Sequence, residues 1–343
     1  MCDAAGSPMR IQDIDIASLR PDEVRVKVEA TGVCHTDISW AGGALFPRFP
    51  VVLGHETAGV VDAVGADVVG LGPGDRVIIA LSQSCGHCRF CERGTPMLCD
   101  KSGKGRSRLS LNGQPVHQGF GVGGFAEHLV IEANSVIKLP DDVPSAVAAV
   151  MGCAVSTGLG AVFNVAGVEF GTSVLVLGAG AVGLSVVMGA RLAGAHDIVV
   201  VDPSPERRSH ARDLGATRVL ADTAALDGEL FPFVFEAVGR KDTMEFAITA
   251  GERGGAITLI GAPPPEVEIS FNALEFVPSQ RRILGCQTGN VRPHVDFPRY
   301  FDLYRAGRLP LDALVTNTVP FDELADGLTN AEMLRGLRTV ITF

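Results

Sequence analysis

The sequence is poor in aromatic residues, 6% of 343 positions, and has no excess of basic ones, with 29 Lys and Arg against 39 Asp and Glu. A net charge of −10 without a basic stripe argues against nucleic acid or an anionic membrane surface as partner. No positively charged leader precedes an apolar run, since Met1 is followed by the polar stretch 2–10, and a cytoplasmic protein is expected. There is no internal repeat and no low-complexity segment. Two uncharged stretches, 143–168 and 170–190, are long enough to mimic membrane spans. Both carry Gly, Ser or Thr every few residues, so each is expected to be a buried strand-turn-helix. What remains, 46% hydrophobic with 41 Gly, describes a globular, aliphatic, turn-rich α/β protein and excludes disorder, collagen and small disulfide scaffolds. At about 100 to 200 residues per domain the length suggests two domains.

Valine-rich alternation at 23–33, 59–65, 75–81 and 127–132, broken by Gly/Pro turns, predicts a β-rich first part. From about Val155 the pattern changes. The short apolar strand of 173–180 precedes helical spacing over 181–195, and a second strand (197–202) precedes a second helix (205–216). Further strands at 233–239 and 256–262 continue the alternation, which predicts a parallel sheet. After Ile283 come helices through 297–307 and 322–336, then a strand at 338–343.

Cys85, Cys88, Cys91 and Cys99 form C-x2-C-x2-C-x7-C, with Gly86 and Gly94 permitting tight turns. Four thiolates so close can surround one tetrahedral Zn²⁺ and leave no open position, the mark of a structural site. An iron–sulfur cluster uses the same ligands, and disulfides are the alternative in an oxidising compartment. His87, inside this loop, is expected at the surface. Cys34, His55 and Cys153 each read, taken singly, as buried structural residues. Together they supply two thiolates and one imidazole, three ligands of a catalytic zinc whose fourth position stays open.

Gly178, Gly180 and Gly183 make G-x-G-x-x-G after a strand and at a helix start, and Asp202 ends the next strand. The glycines allow a tight turn and close approach of a pyrophosphate, and Asp202 can accept from the adenosine ribose hydroxyls. The motif alone is weak; with strand, helix and terminal acid it predicts dinucleotide binding.

On these residues the sequence resembles the zinc-dependent medium-chain alcohol dehydrogenases, and within them the liver-type and formaldehyde-oxidising, class III-like branch. GHE-x2-G-x5-G-x2-V is matched by Gly54, His55, Glu56, Gly59, Gly65 and Val68, and GCAVSTG (152–158) and FEAVGRKDTM (235–244) resemble further family segments. The resemblance implies a GroES-like β-rich catalytic domain, 1–154 and 285–343, interrupted by a Rossmann doubly wound parallel-sheet domain, 155–284. It implies one catalytic and one structural zinc, NAD as cofactor, and a homodimer or homotetramer. By the same resemblance Cys34, His55 and Cys153 hold the catalytic zinc, with Glu56 and Asp37 behind it. Thr36 would bind the alcohol and start its proton relay. Thr157 and Val182 would pack near the nicotinamide, His35 and Arg338 would approach the pyrophosphate, and Arg207 would lie beside Asp202. Leu45 and Leu81, placed by spacing from the zinc ligands, would wall the substrate pocket. Cys2 and Cys286 are left as free thiols.

Three departures stand out. Ser39 occupies the position where liver-type relatives often end the relay with histidine, the connection between 217–221 and 233–239 is about 11 residues, and the family's first strand has no counterpart before Met1. The implied reaction is reversible hydride transfer between NAD and primary, apolar, aromatic or allylic alcohols. A thiol-adduct formaldehyde dehydrogenase, using glutathione or mycothiol held by Lys101, Lys104, Arg106 and Arg108, is the rival enzyme. A non-catalytic zinc and NAD-binding sensor is the rival from another class.

Overall fold

The valine alternation of 23–33 forms the ten-residue strand Glu23–Gly32, hub of the first of two units. Val24, Val26 and Val28 share one face of that strand and enter a core with Val61, Val77, Ile79 and Leu129. The strand lies antiparallel to Glu56–Val64, His128–Glu132 and Arg338–Thr342. Among the described residues the sheet continues through Arg76–Ile79 to Val136–Lys138 on one side and to Val315–Pro320 on the other. A smaller sheet joins Asp15–Ile16, Leu109–Leu111, Gln114–Gln118 and Val51–Val52. The computed structural model describes residues 1–45, 48–102, 107–324 and 336–343. Of the helix expected at 322–336, most lies outside the described residues, and the single turn Phe321–Glu323 precedes that gap.

The first unit comprises Met1–Cys153 and Arg292–Phe343, the second Ala154–Val291. Residues 285–291, assigned from the sequence to the first domain, fall in the second unit. There Thr288–Asn290 packs closely on Ser156–Gly160: a Cβ on Gly160 would meet the Gly289 carbonyl oxygen at 2.1 Å, and one on Gly289 would meet the Ser156 carbonyl oxygen at 2.3 Å. The second unit holds six parallel strands in the order Arg218–Leu220, Asp197–Val201, Ser173–Leu177, Phe231–Glu236, Gly251–Leu259, Arg282–Gly285. In chain order that is 3-2-1-4-5-6, the doubly wound Rossmann topology, whose order reverses between Ser173–Leu177 and Phe231–Glu236. The short connection before Phe231 contains one 3₁₀ turn, Thr223–Leu226, capped by the Asp222 carboxylate.

The stretch 143–168 corrects the sequence reading, because it contains no strand. Residues Ser145–Ala166 are helical throughout, and 83% of their most apolar window is buried inside the fold. The valines there alternate with Ala and Gly, which suits a helix in close contact on several sides. Two five- and six-residue π-helical turns, Met151–Val155 and Ala161–Ala166, interrupt the α geometry.

Within the second unit a Cβ at Gly158 would stand 2.4 Å from Ser185 Cβ and 2.6 Å from the Val182 carbonyl oxygen, so two helices meet through bare backbone. Gly158→Ala is therefore expected to destabilise the protein by about 1–3 kcal/mol through overpacking. Thermal denaturation checks this, and an unchanged Tm would show that the contact is slack.

Candidate active site

Cys34 caps the N-terminus of the helix His35–Ala41, and Asp37, in its first turn, turns back on it. The buried Asp37 carboxylate accepts from Cys34 N at 3.2 Å through one oxygen. Through the other it accepts from Gly54 N at 3.0 Å and meets His55 Nδ1 at 3.0 Å. With Nδ1 engaged, Nε2 is the nitrogen that His55 has left for a ligand. Gly54 makes this turn at φ +88°, where a Cβ would also run into the backbone of Phe125 at 2.6 Å. Cys153 arrives on the π-helical turn Met151–Val155, and its neighbour Gly152 lets that turn lie against Ile79 and Glu56. Such turns often mark functional sites because they displace one side chain from helical register.

Ligand atoms of Cys34, His55, Glu56 and Cys153 all lie within 4.8 Å of one another. Glu56 is fully buried, and Gly32 clears its place, since a Cβ there would meet Glu56 Oε2 at 2.2 Å. Its Oε1 pairs with Arg338 Nη2 at 3.1 Å, and neither carboxylate oxygen accepts a hydrogen bond among the described residues. Thr36 Oγ1 stands 3.5 Å from Cys34 Sγ. The Cys34 thiol sits well below its ordinary pKa because Cys153 hydrogen-bonds to it and Arg338 and His55 are near, while Cys153 is pushed well up by the same bond and by burial. Burial opposes the charged form of His55, but the charge and hydrogen bond of Asp37 win and raise it. Burial pushes Glu56 up to about 7, which Arg338 only partly offsets. Two sulfurs, an imidazole and a carboxylate within 4.8 Å of one another are a donor set that suits a divalent zinc ion.

Arg338, expected near a pyrophosphate, is 5% exposed, pairs with Glu56, and donates through Nη1 to the Val33 carbonyl at 2.9 Å. Phe120 was missed by sequence reasoning: its ring lies 4.7 Å from that of His55 and meets Trp40 edge-on at 5.0 Å. The only signal for it was the pair of flanking glycines, Gly119 and Gly121. Leu45 and Leu81 are half-buried, and Ser39 is half-buried with its carbonyl accepting from Ala44 N and Leu45 N.

The second cluster brings Cys85, Cys88, Cys91 and Cys99 within 4.8 Å. Zn–S bonds of ~2.3 Å in a tetrahedron require S···S edges of ~3.8 Å; Cys88 lies 3.5 Å from Cys91 and 3.9 Å from Cys99. Backbone N–H groups of Cys85 and Lys101 point at Cys99 Sγ. Backbone donors, Cys91 first, hold Cys88 down at about 6, and burial and Cys88 push Cys91 up to about 12. Gly86 and Gly94 take φ of +78° and +82°, and from Gln83 to Leu98 no residue is buried. His87 is exposed, with Lys101 Nζ at 2.9 Å. Arg108 pairs with Glu23 at 3.1 Å, whereas Lys104 and Arg106 lie outside the described residues. Cys2 is buried and Cys286 half-buried, and among the described residues neither joins a cluster.

In the second unit Gly178 has φ +92°, and a Cβ on Gly183 would lie 1.8 Å from the Gly178 carbonyl oxygen. Gly180 faces open space at the N-terminus of the helix Ala181–Ala193, the form of a phosphate cradle. The Asp202 carboxylate, 3% exposed, accepts from Ala179 N and Ser204 N, each at 2.8 Å, and so fixes the glycine loop to its own strand end. A carboxylate has about four acceptor positions, so two remain for ribose hydroxyls. Thr157 is buried in the helix Ser156–Gly160, Val182 and Arg207 are half-buried, and His35, in the first unit, is exposed. Among the described residues the glycine loop thus fits a dinucleotide.

Arg338→Met would strand the buried Glu56 carboxylate without its cation, at an expected loss of about 3–5 kcal/mol. A depressed Tm that Glu56→Gln restores in the same chain is the expected result, and equal Tm values for Arg338→Met and the parent would discount the pair.

Residues 20–141 match the family Alcohol dehydrogenase GroES-like domain, and residues 181–306 match Zinc-binding dehydrogenase. Alcohol dehydrogenase 1 of Cenchrus americanus is 33% identical over 362 aligned positions, covering 98% of this chain and 94% of that one. Among solved structures, an alcohol dehydrogenase zinc-binding domain protein from Burkholderia ambifaria is 32% identical with a TM-score of 0.93, covering 100% of this chain and 97% of that one. Benzyl alcohol dehydrogenase from Acinetobacter calcoaceticus is 30% identical with a TM-score of 0.92, covering 100% and 98%. With a buried Cys, His, Cys and Glu cluster in the one unit and a glycine-loop Rossmann sheet in the other, this chain belongs to the zinc-dependent medium-chain alcohol dehydrogenase family.

Proposed function

We propose that the protein is an NAD-dependent dehydrogenase of primary alcohols with apolar, aromatic or allylic bodies, working reversibly with their aldehydes. The observation that carries this reading is the cluster of Cys34, His55, Cys153 and Glu56 with the Thr36 hydroxyl beside it. Cys34, His55 and Cys153 hold a catalytic zinc, and Cys85, Cys88, Cys91 and Cys99 hold a structural one. Bound there, zinc supplies Lewis acidity toward an alcohol oxygen and the dinucleotide supplies the hydride acceptor.

The chain's own residues do the rest. Asp37 keeps the imidazole of His55 in one orientation and one tautomer. Thr36 Oγ1 accepts the hydrogen bond of the alcohol and takes its proton on the way out. Ser39, a turn further on, has no ionisation near neutrality, so the proton continues through ordered water. Leu45 and Leu81, both half-buried, give the alcohol pocket apolar walls and favour apolar substrates. The benzyl alcohol dehydrogenase relative supports the same substrate class. Asp202 favours NAD by repelling a 2′-phosphate. A cytoplasmic homo-oligomer fits the rest of the molecule. The edge strand Arg282–Gly285 and the exposed Phe271, Leu274 and Val277 offer a second copy both backbone donors and apolar surface.

Two measurements test the reading. Metal analysis should return two zinc ions per chain and NADH should form from benzyl alcohol; Cys153→Ser should keep one zinc and lose turnover. One zinc in the parent chain, or stoichiometric iron, would refute the assignment. For the cofactor, kcat/KM with NAD should exceed that with NADP, and Asp202→Asn should lower the NAD value by roughly tenfold or more, the worth of a charged hydrogen bond. A parent enzyme faster with NADP would reverse that assignment.

A further inference from the structure

A cavity of about 620 Å³ opens in the first unit, and apart from Cys85 no proposed zinc ligand lines it. Its walls are of two kinds. Trp40, Phe120, Val130 and Ile131 supply apolar surface, while Arg20, Arg48, Lys101 and Arg108 supply four cations. Two carboxylates, Glu23 and Glu132, line it as well. Glu23 is already engaged, with Arg108 Nε at 3.1 Å and Arg20 Nη1 at 3.8 Å. Arg48 meets no carboxylate among the described residues. In a chain of net charge −10 such a surplus of cations is a local reversal of sign. A volume within the range of about 300–1,000 Å³ is that of small-molecule sites rather than packing defects.

Flat rings beside guanidinium and ammonium groups select a ligand with a flat apolar body and an anionic head. We propose that this cavity is a second small-molecule site, separate from the zinc cluster, that takes an aromatic carboxylate. The ring lies against Trp40 and Phe120, and the carboxylate is held by the cationic side chains. Because the Phe120 ring is 4.7 Å from that of His55, a bound ligand presses on the wall of the catalytic cluster without entering it. Occupancy therefore lowers alcohol turnover in a manner that excess alcohol does not overcome.

Trp40 is the chain's single tryptophan, so intrinsic fluorescence reads this cavity directly. Benzoate is titrated into the zinc-loaded protein, with and without NAD and saturating benzyl alcohol, and inorganic phosphate is titrated in parallel. The expected result is saturable quenching by benzoate that survives saturating benzyl alcohol. In Arg48→Gln/Lys101→Gln, whose two exposed side chains leave the core untouched, the apparent Kd should rise about tenfold or more, equivalent to about 1.4 kcal/mol. Zinc content and Tm of that variant, matched to the parent, show that it is folded. Displacement of benzoate by benzyl alcohol would put it at the zinc cluster and overturn the proposal. So would equal affinity in the double variant, quenching by phosphate alone, or no saturation at all.

Discussion

The first unit depends on one carboxylate. Asp37 accepts from the backbone of Cys34 and of Gly54 and orients the His55 ring, so segments 20 residues apart in sequence (34 to 54) converge on its two oxygens. A buried carboxylate is tolerated only where its acceptors are filled, and here filling them assembles two members of a ligand cluster. Glu56 and Arg338 extend the arrangement. One strand begins with Glu56, the strand two places away in the sheet begins with Arg338, and their ion pair closes the back of the cluster. The site is thus held by electrostatics among groups that would each be costly to bury alone.

The second unit is shaped by backbone. Gly178 and Gly183 have no room for side chains, Gly180 leaves open space, and Asp202 ties the loop to the neighbouring strand. The same acid serves architecture first, through two backbone amides, and has only its remaining acceptor positions for a ligand.

Residues that act through spacing along the chain were legible in the sequence. The four cysteines, the glycine loop and the alternating strands follow local rules of ligand geometry, turn conformation and periodicity, and they form the clusters and elements those rules imply. Residues that act across the chain were not. Phe120 reaches His55 only because a tight turn with φ +53° swings its ring inward, and Arg338 is drawn to Glu56 across more than 280 residues. The stretch 143–168 misled because short apolar runs serve strand and helix equally, and the choice was made by packing against Glu23–Gly32 and Glu56–Val64. Residues 285–291 group with the second unit, where Thr288–Asn290 packs against Ser156–Gly160 and Ala161–Ala166, a long-range contact that no composition rule reveals.

The four-cysteine lobe is built with almost no core: the sixteen consecutive residues Gln83 to Leu98 include none that is fully buried, Arg89 and Arg93 lie over the Phe90 ring, and four sulfurs converge. Such a segment has little hydrophobic reason to keep its shape, so a metal held by the four sulfurs, as proposed, would couple its own binding to the folding of the lobe. Its order would then rise and fall with the concentration of free metal, by mass action rather than by temperature. The lobe can become a proteolytic hot spot under chelation while both sheets remain folded, and newly made chain that meets metal late would carry it as the last part to set.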